Sequence, residues 1–418
     1  MSHDWRKGIT SVCSAQPDVI RTAFSVPAAP AVLIEATCNQ VNQFGGYTGM
    51  TPQDFHEFIF KIARQSTFPE QKIILGGDHL GPNPWQNEPA DQAMDKSAGM
   101  IQGFVQAGFT KLHIDCSMRL QDDPPGALAP ATIARRAATL VAMAEKTAKQ
   151  KYVDAQKVPL VYVIGTEVPV PGGTTATHET MHVSEVADVV ETIDLHRQAF
   201  QALNLGAAWE RVVAVVVQPG VEFGDASVDE YNPRRARQLS KFIESQPLVY
   251  EAHSTDYQQR SSLKKLVRDH FSILKVGPAL TFAYREAIFS LAFMENELIQ
   301  PAQRSNIISI LEETMVSKPH SWEKYYSGNP QELEYKRKYS LSDRIRYYWT
   351  DPQVQKALKT LTENLSMKEI PDSLLSQFAP LERLALKEKD LPPTSTNVIT
   401  EKIHAVLADY WYACGIPS

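Results

Sequence analysis

Residues 212–217 read Val-Val-Ala-Val-Val-Val, and Gln218-Pro219-Gly220 follow at once. Six apolar residues are far too few for a membrane span, which takes about 20. The run is dominated by β-branched valine and is apolar on both faces, as a strand covered on both sides must be. Seven further runs of this kind stand at Ile9–Cys13, Val32–Ala36, Ile73–Leu75, Leu112–Ile114, Leu160–Ile164, Leu248–Tyr250 and Ile273–Val276. Between them lie stretches long enough for crossover helices: Thr51–Arg64, Asp91–Ala107, Pro130–Gln150, Val183–Leu203 and Pro233–Glu244. Thr51-Pro52 and Asn232-Pro233 have the form of a cap followed by proline at the first helical position. Eight strand-then-helix units in about 300 residues predict an α/β fold, a TIM (β/α)8 barrel, over residues 1–300.

Past that point the strand-like runs stop. Amphipathic text rich in Tyr, Arg and Lys follows, including Ser340–Trp349, with prolines at 319, 330, 352, 371 and 393. It predicts a helical C-terminal extension over residues 301–418, packed on the barrel. The chain has 418 residues, with 42 Lys plus Arg against 48 Asp plus Glu, a net charge of −6. That mild acidity gives no reason to expect nucleic acid. No apolar run approaches a membrane span, and the first residues lack the apolar core of a secretory signal. Cys13, Cys38, Cys116 and Cys414 are far apart, with no CxxC pair. Reduced thiols, and hence a cytoplasmic location, are expected.

Chemistry in such barrels collects where strands run into the following loops. The strand ends here carry Gln40, Asp78-His79, Asp115, Glu167, Gln218, His253 and Lys275. His79, Glu167 and His253, with Gln218 as a fourth ligand, suit a divalent metal with mixed nitrogen and oxygen coordination. Such an ion polarises a carbonyl or holds an enediolate, and Asp78 and Asp115 beside it are placed to carry protons. The alternative is structural, since a lone strand-end histidine is more often simply hydrogen-bonded. His113, inside a strand, is expected in the core, and His178 and His182 on the surface. Lys275 suits a phosphate or an enolate, or pairs with Glu167 or Asp115. Asn39, Gln40 and Gln43, beside the Gly45-Gly46 turn, suit sugar hydroxyls. Gly172-Gly173 suggests a lid or a turn. Arg344 and Arg346 reach either a phosphate or only solvent, and a solvated helix face is the favoured reading. GxxxxGK[ST], GxGxxG opening a helix, kinase signatures and GxSxG are all absent, so nucleotide-dependent kinase and Rossmann oxidoreductase chemistry lacks support.

The stretches NQVNQFGGYTGMTP, GGDHLGPNPWQ, YVIGTEVPVPGG, VVQPGVEF, YEAHSTDYQ, LKVGPALTFAYREAIFSLA and YSLSDRIRYYW resemble the Z-subunit family of tagatose-bisphosphate aldolase (GatZ/KbaZ), from Ile9 to Cys414. The resemblance implies a barrel akin to class II, metal-dependent aldolases. Asp78 and His79 then match a proton-transfer aspartate and a ligand histidine, Glu167 a glutamate near the metal, and His253 a second ligand histidine. Gln218 stands where that pattern has another histidine. Ser254-Thr255-Asp256 replaces a glycine-rich phosphate loop, which makes Ser254 and Asp256 substrate-binding candidates. A divalent ion is implied, zinc first, then manganese, nickel or cobalt.

Two functions are attached to the family. One is a metal-dependent 4-epimerase interconverting tagatose 6-phosphate and fructose 6-phosphate by retro-aldol cleavage and re-addition. The other is a non-catalytic subunit that supports the catalytic Y subunit of tagatose-1,6-bisphosphate aldolase. The epimerase is expected, because a scaffold has no use for a charged mouth whose unpaired charge would cost several kcal/mol. A sugar phosphate, a Y subunit and a second copy of the chain are the partners considered.

Overall fold

The computed structural model describes residues 7–26, 29–152, 159–166 and 182–417. Ten strands occur among them: β1 Ile9–Cys13, β2 Val32–Thr37, β3 Ile73–Leu80, β4 Lys111–Ile114, β5 Val161–Ile164, β6 Val212–Val216, β7 Glu222–Phe223, β8 Val228–Asp229, β9 Val249–Ala252 and β10 Phe271–Val276. Eight of them, β1–β6 with β9 and β10, form a closed parallel barrel in which β10 returns to pair with β1. All eight are the strands expected from the apolar runs. The short antiparallel pair β7–β8 was not foreseen. Two-residue strands leave no period to detect.

The helices that follow in chain order are α1 Pro17–Ala23, α2 Pro52–Gln65, α3 Ala90–Ala107, α4 Pro130–Lys151, α5 Val186–Ala202, α6 Gly206–Trp209, α7 Arg237–Ile243, α8 Arg260–Arg268 and α9 Pro278–Leu298. Thr51 caps α2 in a reciprocal box with Asp54, which satisfies amides the first turn leaves free. Helix α7 starts only at Arg237, later than expected, because the Asn232 side chain accepts from the Arg234 amide and makes a turn of the preceding residues.

The C-terminal region is helical, with α10 Ile307–Ser317, α11 Pro330–Tyr339, α12 Pro352–Ser366, α13 Asp372–Phe378, α14 Pro380–Glu388 and α15 Ser395–Ala413. Helix α15 packs on α9, α8 and α1, with Leu407, Tyr410 and Trp411 buried. Each such side chain contributes roughly 1.5–3 kcal/mol by leaving water. The Tyr410 hydroxyl donates to the Thr255 carbonyl at 2.7 Å, so the last helix is tied to the loop after β9.

Ser340–Trp349 is not the expected helix. It is a turn followed by a 3₁₀ segment, Arg344–Tyr348, because Asp343 sits in the left-handed region at φ +49°. The segment lies over the C-terminal ends of the barrel strands. The Tyr257 hydroxyl donates to the Leu341 carbonyl at 2.6 Å, the Leu341 amide donates to Asp225, and the Thr281 hydroxyl donates to Asp343 at 2.6 Å.

Side chains alternate along each strand between the barrel interior and the helix layer. Leu112, Ile114, Tyr250, Ala252, Leu274 and Val276 join the large core against the helices. Inside the barrel the lowest layer is apolar, with Leu33, Val163, Ala214, Val216 and Ile273 packed together. Above it lies a charged layer. The Lys111 ammonium reaches Glu35 at 2.6 Å and Glu251 at 2.7 Å, and the Ser11 hydroxyl donates to Glu35 at 2.5 Å. Glycine is required at position 76 beside this layer, since a Cβ there would collide with the Glu35 carboxylate.

Candidate metal centre

The next layer up holds three histidines. Two residues beyond Lys111 on the same strand face comes His113, and two beyond Glu251 comes His253. The third arrives by a different device. The β3–β4 ladder pairs Gly77 with Leu112 but Leu80 with Ile114, so β3 carries one extra residue at Asp78-His79. The bulge places His79 at φ +48°. Bulges are a recurring way to re-aim a side chain at a functional site. The ring centroids of His79, His113 and His253 lie 4.9–5.1 Å apart. One ligand atom each from Asp78, His79, His113 and His253 can be chosen so that all four lie within 4.8 Å of one another.

Each ring is held by one nitrogen against a carboxylate. His79 Nδ1 lies 2.8 Å from Asp115, His113 Nδ1 lies 2.9 Å from Asp78, and His253 Nε2 lies 2.9 Å from Glu251. The other nitrogens of His113 and His253, Nε2 and Nδ1, are buried with no hydrogen-bond partner. An outer carboxylate fixing one imidazole nitrogen while the other stays free is how metal-binding histidines are oriented. Burial pushes His113 down to about 4 and His253 down to about 3. Both rings are therefore neutral at pH 7, the form that donates a lone pair to a metal. Burial alone would raise the Asp115 carboxyl. The hydrogen bond from His79, the neighbouring imidazoles and Ser117 instead hold it below the usual carboxylate range. The donor set fits a divalent ion: Asp78, His79, His113 and His253 would hold it, and the ion would supply Lewis acidity there.

His79 and His253 thus come together as expected, and His113, buried in the core as its place inside a strand predicts, joins them there. Glu251, Glu35 and Lys111 were missed. A signal was available, since the polar residues of Lys-Leu-His-Ile-Asp (111–115) and Glu-Ala-His (251–253) alternate with apolar ones and must share one face. Gln218 is committed elsewhere: its Oε1 accepts from the Gly220 and Val221 amides at 2.8 and 3.0 Å. Glu167, Gly172-Gly173 and His178 lie outside the described residues. Asp78 is fully buried and forms an ion pair with Lys275. Gln40 Oε1 accepts from the Thr37 amide, and Gln43 donates to the Lys96 carbonyl on α3. Asn39 is half-buried, and its carbonyl accepts from the Tyr47 amide. Asp256 accepts from the Gly277 and Ala279 amides at 3.0 and 2.8 Å, and burial raises it to about 6. Ser254, at φ +53°, stands beside Glu222.

The family model described as D-tagatose-1,6-bisphosphate aldolase subunit GatZ/KbaZ-like matches residues 2–415. The chain belongs to this family. Among GatZ/KbaZ relatives, the D-tagatose-1,6-bisphosphate aldolase subunit GatZ of Salmonella dublin is 52% identical over 409 residues, covering 97% of this chain and 96% of that one. The protein of the same name from Klebsiella pneumoniae subsp. pneumoniae is 53% identical over 411 residues, with the same coverage. A crystal structure titled a probable tagatose 6 phosphate kinase from Sinorhizobium meliloti 1021 superposes with a TM-score of 0.89 at 44% identity, covering 98% of this chain and all of that one.

These relatives overturn the expected 4-epimerase. Full-length GatZ/KbaZ proteins about half identical to this chain are named as a subunit of an aldolase, not as an isomerase. The structure also removes the physical argument for an epimerase. That argument required unpaired charge at the strand ends, yet inside the barrel Lys275 meets Asp78, Lys111 meets Glu35 and Glu251, and Asp115 lies 2.8 Å from His79. Charges paired this way need no substrate to satisfy them.

Proposed function

We propose that the chain is the Z-type subunit of a tagatose-1,6-bisphosphate aldolase, a non-catalytic partner that maintains the activity and stability of a catalytic Y-type subunit. The carrying observation is identity of about 52% along 97% of the chain to proteins named as that subunit. The internally paired mouth supports it, because Asp78, the candidate for proton transfer, is held between Lys275 and His113. In this reading zinc, which suits neutral imidazoles with a carboxylate, would be held by Asp78 and His79 of β3, His113 of β4 and His253 just past β9. A sugar phosphate is the small molecule expected at the mouth. The four cysteines are all unpaired and buried, which favours the cytoplasm. Among the described residues no helix is long and apolar enough to cross a membrane.

Co-expression with a Y-type subunit tests the reading. The pair should release triose phosphate from tagatose 1,6-bisphosphate faster, and stay active longer on warming, than the Y subunit alone. The lone chain should cleave nothing. An unchanged Y subunit, or turnover of a ketose phosphate by the lone chain, would overturn the assignment.

A further inference from the structure

We propose that Arg344 and Arg346 form a subsite for the phosphate group of a phosphate monoester over the barrel mouth. This deepens the Z-subunit reading by naming what the mouth of that subunit holds. Arg344 is 4% exposed, contrary to the solvated helix face expected from sequence. Its guanidinium makes no hydrogen bond to any described residue, Nε is buried without a partner, and no described carboxylate lies within 4.0 Å. Its contact is with a ring: Cζ stands 3.3 Å from the centroid of Tyr325. A guanidinium lying on a ring covers its flat face and leaves its in-plane N–H edge for an acceptor. Burial opposes its charge, as an ion without a counter-ion requires.

Arg346 is half-buried and adds a second positive charge. Its hydrogen bonds go to neutral acceptors, the Ser342 and Asp343 carbonyls and the Tyr347 hydroxyl. The nearby acids, Asp343 and Asp256, feel the charge of Arg346 but neither comes within 4.0 Å of it. Asp343 accepts from Thr281 and faces Arg285 at 3.7 Å, and Asp256 accepts from the Gly277 and Ala279 amides. Two cations two residues apart, neither with a described carboxylate within 4.0 Å and one of them, Arg344, with its buried Nε unpartnered, suit a dianion that binds a planar fork. A phosphate monoester is one. The place suits a small molecule entering the barrel. The charge of Arg346 is felt at Asp256, three residues past His253, and Tyr347 meets Tyr47 of the loop after β2 at 4.6 Å between centroids. Hydrogen bonds already described tie this segment to the loop after β9, to Asp225 and to the start of α9.

Calorimetry and thermal unfolding of the full-length lone chain test the subsite, with inorganic phosphate, fructose 6-phosphate and fructose as probes. The two phosphates should bind and raise the unfolding temperature, and fructose should do neither. Tenfold tighter binding of fructose 6-phosphate identifies the source as a sugar phosphate, and equal binding identifies free phosphate. Arg344→Met should weaken phosphate binding about tenfold or more, since hydrogen bonds to a charged group are lost. It should leave the ligand-free unfolding temperature unchanged or higher, because it removes a charge that nothing pairs. Arg344→Lys, which keeps the charge without the fork, should fold and also bind more weakly. Absence of phosphate binding, or wild-type binding by both variants, would refute the subsite. Neither result bears on whether the chain supports a Y subunit, which is measured with the partner present.

Discussion

Replacing Lys111 with methionine should destabilise the barrel by about 3–5 kcal/mol, the cost of leaving buried charge without its partner. The figure follows from the layer beneath the histidines. Lys111 is 3% exposed and faces Glu35 and Glu251 at 2.6 and 2.7 Å, both fully buried. At an effective dielectric near 20, each pair attracts by about 6 kcal/mol, much of it offset by taking the three groups out of water. Methionine fills the space but leaves two carboxylates facing a low-dielectric interior. They relieve the strain by taking up a proton, so their folded-state pKa values rise above the unfolded ones. Stability of the variant is then retained at low pH and lost as pH rises through the raised values. Urea titrations at pH 5 and pH 8 should show the larger deficit at pH 8. Adding Glu251→Gln should recover at least about 1 kcal/mol by removing one of the two charges. A deficit below about 1 kcal/mol, or one equal at both pH values, would refute the claim that this layer is held by paired ions.

Asp115→Asn, nearly isosteric, removes the charge that orients His79, and should weaken zinc binding about 10–100-fold while the protein stays folded. Titration against a competing chelator reads this, and unchanged affinity would take His79 out of the ligand set. Burial raises Asp343 to about 7, so the native state prefers it protonated. That preference contributes stability at pH 4 that fades as pH rises through about 7, by at most about 1.4 kcal/mol per pH unit. Asp343→Asn should flatten this part of the stability–pH profile, measured by urea titration between pH 4 and pH 8.

Much of the fold was legible because a parallel barrel strand is covered on both faces, so each one appears as a short run of branched apolar residues. Where a strand is only two residues long, as in β7 and β8, or where a left-handed residue such as Asp343 breaks a helix, the local pattern carries too little to read. The candidate site was half legible. His79 and His253 stand at strand ends and drew attention. His113 stands inside a strand and did not, although its alternation with Leu112 and Ile114 placed it on the inner face.

The sequence by itself determined the order of the eight barrel strands, the family and the residue types that gather at one rim, because these follow from period, composition and long motifs along the chain. Which charges meet was decided only in three dimensions. Lys275 finds Asp78 across 197 positions, and Lys111 finds Glu35 across 76. Arg344, two residues from Arg346, is sealed against Tyr325 without a carboxylate in reach. Pairing and burial depend on distance through space, and a charge is costly or harmless according to what closes around it. Closure of the barrel paired the charges inside it, and the segment over its mouth left Arg344 buried with no described carboxylate within 4.0 Å.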